Sequence, residues 1–198
     1  MLANILTFSR IFIAIFIPCF IFLGRSDFLL LDVKIVYFVS FILFILAALS
    51  DFLDGWIARK KGQESEIGRI LDPIADKLLV ILTLVPILIN FNHILIYFPS
   101  IIIIFREILV SGLRESLKSN DLILEVTKLS KWKTASQLIA VASLLLYLSF
   151  PILSFPIWIN NLPLFMGLIF IWLASILSIV TGFNYIYKVV SFYKKEKV

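Results

Sequence analysis

The chain has 198 residues, of which 61% are hydrophobic and 16% are charged, and its mean hydropathy is +1.06. So much apolar surface would overfill a water-soluble core of this size, which excludes a soluble globular protein and predicts an integral membrane protein. The formal net charge of +5 suits contact with anionic lipid headgroups. Because the basic residues follow a membrane topology, we expect no nucleic-acid partner.

Long apolar runs predict about six transmembrane helices, since each run can cross the roughly 30 Å hydrocarbon core of a bilayer. The expected spans are residues 8–24, 33–50, 74–90, 93–112, 135–150 and 162–187, with a short interfacial segment before the first. The N-terminal run has no basic region before it and no small-residue cleavage site, so we expect it to be retained rather than removed as a signal peptide. The pattern predicts an all-α bundle in which residues 1–198 form a single domain.

Basic residues concentrate in alternate connections between the spans, and this asymmetry predicts the orientation of the bundle. They follow spans two, four and six: Lys60, Lys61, Arg69, Arg114, Lys118, Lys128, Lys131, Lys133, Lys188, Lys194, Lys195 and Lys197. The opposite connections hold few charges. These basic segments and both termini are therefore expected to face the cytoplasm.

Four aspartates lie in the stretch "SDFLDGWIARKKGQESEIGRILDPIADKLL", residues 50–79, of an otherwise apolar chain. Asp51 and Asp54 share one face of a helix, and Asp72 and Asp76 share a face of the next helix. The intervening polar segment is short, so the two helices are expected to form an antiparallel hairpin. The two aspartate pairs can then meet near the cytoplasmic interface.

Four converging carboxylates would repel one another unless cations offset their charge. A site of hard oxygen ligands, without clustered Cys or His, indicates Mg²⁺, Mn²⁺ or Ca²⁺, and it can hold two ions about 3.5–4 Å apart. Such an arrangement suits phosphoryl transfer. Spacing alone leaves a second interpretation open, an interfacial charge cluster that pairs the aspartates with Arg59, Lys60, Arg69 or Lys77.

Small residues flank the aspartates. Gly55, Ala58 and Gly68 remove side-chain bulk where a ligand could approach the backbone, and Arg59 can address a phosphate. Close packing of helices is the alternative reason for each small residue.

The pattern Asp51-x-x-Asp54-Gly55-x-x-Ala58-Arg59, followed by Gly68-x-x-x-Asp72-x-x-x-Asp76, resembles the signature of the CDP-alcohol phosphatidyltransferases at every specified position. The resemblance implies a six-helix membrane bundle, usually a homodimer, that transfers a phosphatidyl group from a CDP-linked lipid to an alcohol and releases CMP. It implies one or two Mg²⁺ or Mn²⁺ ions bound by Asp51, Asp54, Asp72 and Asp76, with Asp76 also the general base. The residues implied to contact the CDP-lipid are Asn4, Thr7, Gly55, Ala58, Arg59 and Gly68.

A charged residue inside the fourth span predicts a second polar site. Arg106 lies where an unpaired charge is costly, and its neighbour Glu107 is expected to point to another side of the helix. An anionic substrate is therefore a candidate partner. The stretches "FREILVSGLRE" and "LSKWKTASQ" predict a phosphate pocket that contains Arg106, Ser111, Arg114, Lys131 and Lys133.

These two stretches, with "NILTFSR" at residues 4–10, resemble segments of the phosphatidylglycerophosphate synthase branch of that family. In that branch the acceptor is glycerol 3-phosphate, whose own phosphate accounts for basic residues beyond Arg59. The implied reaction joins CDP-diacylglycerol and glycerol 3-phosphate to give phosphatidylglycerol phosphate and CMP. The implied location is the cytoplasmic face of a bacterial-type cell membrane.

Other functions stay open at this point. Within the family the acceptor can be serine, inositol phosphate or phosphatidylglycerol. A divalent-cation transporter would also place carboxylates in a membrane, but it predicts acidic residues on further spans, where chiefly Glu107 and Glu115 occur. A non-catalytic lipid-binding protein does not require the full motif.

Overall fold

The computed structural model describes residues 2–26, 31–61, 66–118, 128–150 and 156–196. Within these ranges, the side chains of residues 2–6, 51–61, 66–67, 69–70, 115–118, 157–158, 192–193 and 195–196 lie outside the description. The described backbone forms six α-helices and holds no strand, which confirms the predicted all-α class. The helices are α1 (Leu2–Arg25), α2 (Val33–Lys61), α3 (Glu66–Phe91), α4 (Ile94–Lys118), α5 (Lys128–Ser149) and α6 (Ile157–Glu196).

Five helices of the described ranges are long and apolar enough to cross a membrane. Their apolar stretches are Thr7–Arg25, Val33–Ser50, Leu71–Phe91, Ile94–Arg114 and Ile159–Ser191. Helix α5, predicted as the fifth span, is less apolar because it begins with basic and hydroxyl residues. Outward-facing aromatic side chains such as Phe12, Phe105 and Phe183 are largely exposed, as expected of surfaces in contact with lipid.

The helices extend beyond the predicted spans. Helix α2 continues past its apolar stretch to Lys61, and α3 begins at Glu66, so the aspartate motif lies on two consecutive helices as predicted. Helix α1 begins at Leu2, and the expected interfacial segment is the first part of that same helix. The apolar run marks only the stretch that suits hydrocarbon, whereas a helix, once nucleated, adds polar residues at little cost.

The contacts between the six helices form a closed ring. Helix α1 contacts α2 and α3, α5 contacts α2 and α6, and α4 contacts α6 and, more lightly, α3. The core between them is apolar and includes Ile17, Phe44, Leu84, Ile103, Leu144 and Ile171.

Two glycines lie at close contacts between helices. A Cβ added at Gly24 would lie 2.5 Å from Val36 Cγ2, and one added at Gly167 would lie 2.7 Å from Leu144 Cδ2. Small residues that let backbones approach closely stabilise helix pairs in lipid, where burial of apolar surface gives little advantage. The α1–α2 and α5–α6 pairs are packed in this way.

Candidate functional site

Polar side chains from five helices meet at one end of the bundle, which we call the motif end. The contacts join the first part of α1 to the first part of α3, then α3 to the last part of α4, and α4 to the first part of α5 and the last part of α6. The last part of α2 lies at the same end because only residues 62–65 separate it from α3. All sequence segments with predicted site residues therefore lie at the motif end.

Two contacts hold the aspartate pair, Asp72 and Asp76 of α3, against α1. Thr7 Oγ1 donates to Asp72 Oδ1 at 2.6 Å, and Arg10 Nη1 donates to Asp76 Oδ1 at 2.9 Å. The two aspartates are one helical turn apart on the same face of α3, and their partners share a face of α1. Arg10 is buried, whereas the side chain of Asp76 is 40% exposed, so its carboxylate reaches the open side of the site.

The remaining motif residues are only partly described. Gly68 is buried on α3, one turn before Asp72. The side chains of the α2 part of the motif and of the N-terminal asparagine lie outside the description: Asn4, Asp51, Asp54, Gly55, Ala58 and Arg59. The meeting of all four carboxylates thus stays a prediction, of which the structure describes the α3 half.

The donor chemistry of the aspartate pair fits a hard divalent cation. Two carboxylates that share a helix face and are partly exposed provide oxygen ligands of the kind that Mg²⁺ and Mn²⁺ prefer. The described side chains hold no group of three or more His, Cys, Asp or Glu that could bind a metal, but two of the four predicted ligands lie outside them. The alternative charge cluster did not include Arg10, the residue that forms the described ion pair with Asp76.

Glu107 of α4 is the centre of a second, buried group of polar side chains. Its Oε1 accepts hydrogen bonds from Lys133 Nζ, from Gln137 Nε2 at 3.1 Å, and from Arg106 Nη1 at 3.4 Å. The expectation that Glu107 points away from Arg106 was wrong. Neighbouring side chains leave a helix about 100° apart, but both of these are long enough for their tips to meet in the bundle interior.

Helix α6 holds the two arginines of α4. Arg106 Nη2 donates to Thr181 Oγ1 at 2.9 Å, and Arg114 Nη2 donates to the hydroxyl of Tyr185. The Tyr185 ring also lies close to both guanidinium groups, with its centroid 5.7 Å from Arg106 Cζ and 4.9 Å from Arg114 Cζ. A cation near an aromatic ring is attracted by the electron-rich face, so Tyr185 stabilises two like charges near each other.

Of the five residues predicted to form a phosphate pocket, the structure brings four together. Arg106, Arg114 and Lys133 interact electrostatically with one another, and Ser111 joins them through its hydrogen bond with Lys77 of α3. Lys131, by contrast, is exposed. Residues two apart on a helix point to nearly opposite sides, so Lys131 and Lys133 cannot both face the interior.

Several residues of the site were not among the site residues predicted from the sequence: Arg10, Lys77, Glu107, Thr181 and Tyr185. The charged members carried a usable signal, because an ionisable side chain inside an apolar span is costly unless it has a buried partner or a function. Thr181 and Tyr185 gave no such signal. Their contribution follows only from the packing of α6 against α4.

An apolar groove of about 230 Å³ runs between α4 and α6 on the outer side of this group. Phe105, Arg106 and Gly182 are among its lining residues. A Cβ added at Gly182 would lie 3.3 Å from Arg106 Cγ, so the glycine makes room for the arginine stem. The stem thereby packs at the lipid side while the guanidinium turns into the polar interior.

The two halves of the site have opposite chemistry. The aspartate pair provides carboxylates that can bind a cation or accept a proton. On the other side is a basic cluster, by which we mean Lys77, Arg106, Arg114 and Lys133. Glu107 interacts with three of these cations, all but Arg114. A surplus of partly buried positive charge among these described side chains, beside carboxylates, suits a small anionic ligand that presents a hydroxyl to the carboxylate side.

Comparison with known proteins finds a matching family and similar proteins. The family model of the CDP-alcohol phosphatidyltransferases matches residues 1–182. Curated relatives of the chain, including three from different organisms, are named CDP-diacylglycerol–glycerol-3-phosphate 3-phosphatidyltransferase. The Cereibacter sphaeroides relative is 36% identical, covering 78% of this chain and 83% of that protein; the Wigglesworthia glossinidia brevipalpis relative is 36% identical, covering 93% of each. The Bacillus subtilis relative is 35% identical and covers 79% of this chain and 76% of its own length.

Proposed function

Because the chain belongs to the CDP-alcohol phosphatidyltransferase family, we propose that it transfers a phosphatidyl group from CDP-diacylglycerol to glycerol 3-phosphate. The products are phosphatidylglycerol phosphate and CMP. The observation that supports this acceptor most directly is the partly buried basic cluster beside Asp76, since an acceptor with its own phosphate supplies the anion that such a cluster needs. The names of the relatives point to the same acceptor.

In the proposed reaction, the acceptor hydroxyl attacks the lipid-bearing phosphorus directly. A new bond forms between the acceptor oxygen and phosphorus, the bond from phosphorus to the CMP oxygen breaks, and Asp76 takes the hydroxyl proton. Thr7 and Arg10, both on α1, fix the orientation of the aspartate pair on α3. The basic cluster positions the acceptor phosphate, which lowers the entropic cost of bringing the hydroxyl to the phosphorus.

The proposed cofactor is one or two Mg²⁺ or Mn²⁺ ions held by Asp51, Asp54, Asp72 and Asp76. When bound, a divalent ion neutralises the CDP pyrophosphate and stabilises the departing CMP. The proposed contacts of the CDP-lipid are Asn4, Thr7, Gly55, Ala58, Arg59 and Gly68. Of these, Thr7 and Gly68 are described, and both are buried at the motif end next to the aspartate pair.

We further propose that the motif end and both chain termini face the cytoplasm, that the protein lies in the cell membrane, and that it acts as a homodimer with the whole chain as one domain. The described helices provide the multi-pass architecture. The orientation follows from the basic residues of the connections, which the positive-inside rule assigns to the cytoplasmic side. In this orientation the water-soluble acceptor enters the site from the cytoplasm, and CMP leaves to the cytoplasm.

The acceptor and the metal requirement can be tested together with purified protein in detergent. We expect CMP release from CDP-diacylglycerol when glycerol 3-phosphate and Mg²⁺ are present, and loss of release when a chelator removes the metal. Serine, inositol phosphate and phosphatidylglycerol, each offered alone, should give no release. Release with one of these instead would replace the proposed acceptor, and release with none would favour a transporter or a lipid-binding protein.

Replacing Arg106 with alanine tests the phosphate pocket. We expect the KM for glycerol 3-phosphate to rise roughly 10- to 100-fold, because a hydrogen bond to a charged group contributes about 1.5–3 kcal/mol. The KM for CDP-diacylglycerol should stay near its wild-type value. Initial rates of CMP release measure both constants, and Arg25→Ala, at an exposed arginine at the opposite end of α1, is the matched control. Equal changes in the two KM values would point to a scaffold role for Arg106.

A further inference from the structure

Lys77 follows Asp76 directly on α3, yet its side chain belongs to the other half of the site. Its Nζ donates a hydrogen bond to Ser111 Oγ on α4, while Asp76 pairs with Arg10 on α1. Successive residues on a helix point about 100° apart, so α3 presents a carboxylate and an ammonium group to adjoining parts of the same space. Lys77 is half-buried, so part of its surface stays accessible.

The charge around Lys77 is not balanced by its described neighbours. It interacts electrostatically with Arg106, Arg114, Glu107 and Asp76, and its hydrogen-bond partner Ser111 is neutral. Glu107 is already bonded to Lys133 and Arg106, and Asp76 is bonded to Arg10. Lys77, Arg106 and Lys133 all interact with Glu107, and Arg114 lies near these three cations. Among the described side chains this leaves a surplus of positive charge, which an anionic ligand can offset.

We propose that Lys77 binds the phosphate of the acceptor from the α3 side and so determines which acceptors fit; this inference rests on the proposed function. Asp76 and Lys77 are consecutive, so a ligand that gives its hydroxyl to the carboxylate and its phosphate to the ammonium group must be short. Glycerol 3-phosphate, with three carbons between these groups, meets that condition. An acceptor without a phosphate gains nothing from Lys77.

A simpler role for Lys77 would be to tie α3 to α4 through Ser111. The two roles differ in what they change. If Lys77 only ties the two helices, its hydrogen bond with Ser111 contributes to stability. Lys77→Met and Ser111→Ala each remove that bond, so both should lower the stability by a similar amount. A phosphate contact affects the KM for the acceptor and depends on the positive charge of residue 77, which Lys77→Arg keeps and Lys77→Met removes.

The test uses the full-length protein and initial rates of CMP release at varied concentrations of each substrate. Lys77→Met keeps the aliphatic stem and removes the charge, and Lys77→Arg keeps the charge. We expect Lys77→Met to raise the KM for glycerol 3-phosphate by about tenfold or more, with the KM for CDP-diacylglycerol unchanged. Lys77→Arg should recover most of the loss. Lys188→Met, at an exposed lysine of α6, is the control and should behave as wild type.

An unchanged KM for glycerol 3-phosphate in Lys77→Met, or an equal rise for both substrates, would overturn the proposal. A lower unfolding temperature in Lys77→Met and Ser111→Ala alike, without a change in either KM, would assign Lys77 to the tie. If Lys77→Met does not accumulate in the membrane, Lys77→Gln gives the same comparison. Wild-type activity is measured first, since failure to use glycerol 3-phosphate there overturns the proposed function, whereas the variants test only Lys77.

Discussion

Replacing Asp76 with asparagine is expected to reduce CMP release by about 10²- to 10⁴-fold, the contribution that general acid–base catalysis typically makes. Asparagine has nearly the same shape but cannot take the proton of the acceptor hydroxyl, and it is a weaker ligand for a divalent ion. The residue lies at the centre of the site: its carboxylate accepts from Arg10 at 2.9 Å, and its neighbour Lys77 belongs to the basic cluster.

The measurement compares turnover with binding. CMP release gives the rate, and retention of CDP-diacylglycerol by the purified variant gives binding, which we expect to persist in part because Asp51, Asp54 and Asp72 are unchanged. Asp32→Asn is the matched control, since Asp32 is exposed and its Oδ1 accepts from the backbone N–H of Lys34 at the start of α2. Turnover of Asp76→Asn close to wild type would remove Asp76 from the role of base.

The aspartate motif shows what local spacing can predict. A separation of four residues places Asp72 and Asp76 on one face of a helix whatever surrounds them, and the structure has both on one face of α3. A separation of three residues likewise predicts that Asp51 and Asp54 share a helix face, but their side chains lie outside the described ones. Spacing could not predict that α1 supplies Thr7 and Arg10, because that contact depends on how the helices pack.

The basic cluster shows where local spacing fails. Arg106 stood out as a charge inside an apolar run and Lys133 as a charge just before the next one, and both belong to the cluster. Lys131 stood out equally and is exposed, because the rotation of α5 within the bundle decides which lysine faces inward. Tyr185 looks like many aromatic residues in a membrane helix, and only its position against α4 brings its ring to two arginines.

Glu107 connects these residues, and its replacement by glutamine is the second change with a large expected effect. Its side chain is buried, as are those of Lys133 and Arg106, and its carboxylate accepts from both. Removal of the negative charge leaves the buried cations Arg106 and Lys133 without their shared carboxylate partner. Breaking a buried ion pair in this way costs roughly 3–5 kcal/mol, so we expect Glu107→Gln to lower the free energy of unfolding by about that amount.

A second substitution separates the charge effect from other consequences of the change. If the loss in Glu107→Gln comes from the uncompensated ammonium group of Lys133, then Glu107→Gln combined with Lys133→Met should be more stable than Glu107→Gln alone. The wild type, Glu107→Gln, Lys133→Met and the double variant are unfolded in the same detergent. Their free energies of unfolding give the coupling between the two sites. Additive losses would show that Glu107 stabilises the bundle by other means.

The same double variant distinguishes stability from function at this site. Lys133 is proposed to bind the acceptor phosphate, so the double variant should regain stability while its KM for glycerol 3-phosphate stays high. Glu107 thus has a specific role in the proposed enzyme: it holds Lys133 and Arg106 together in the bundle interior when the acceptor is absent. A single carboxylate pairs with both cations. Recovery of both stability and acceptor binding in the double variant would contradict this division of roles, because Lys133 would then be needed only to pair with Glu107.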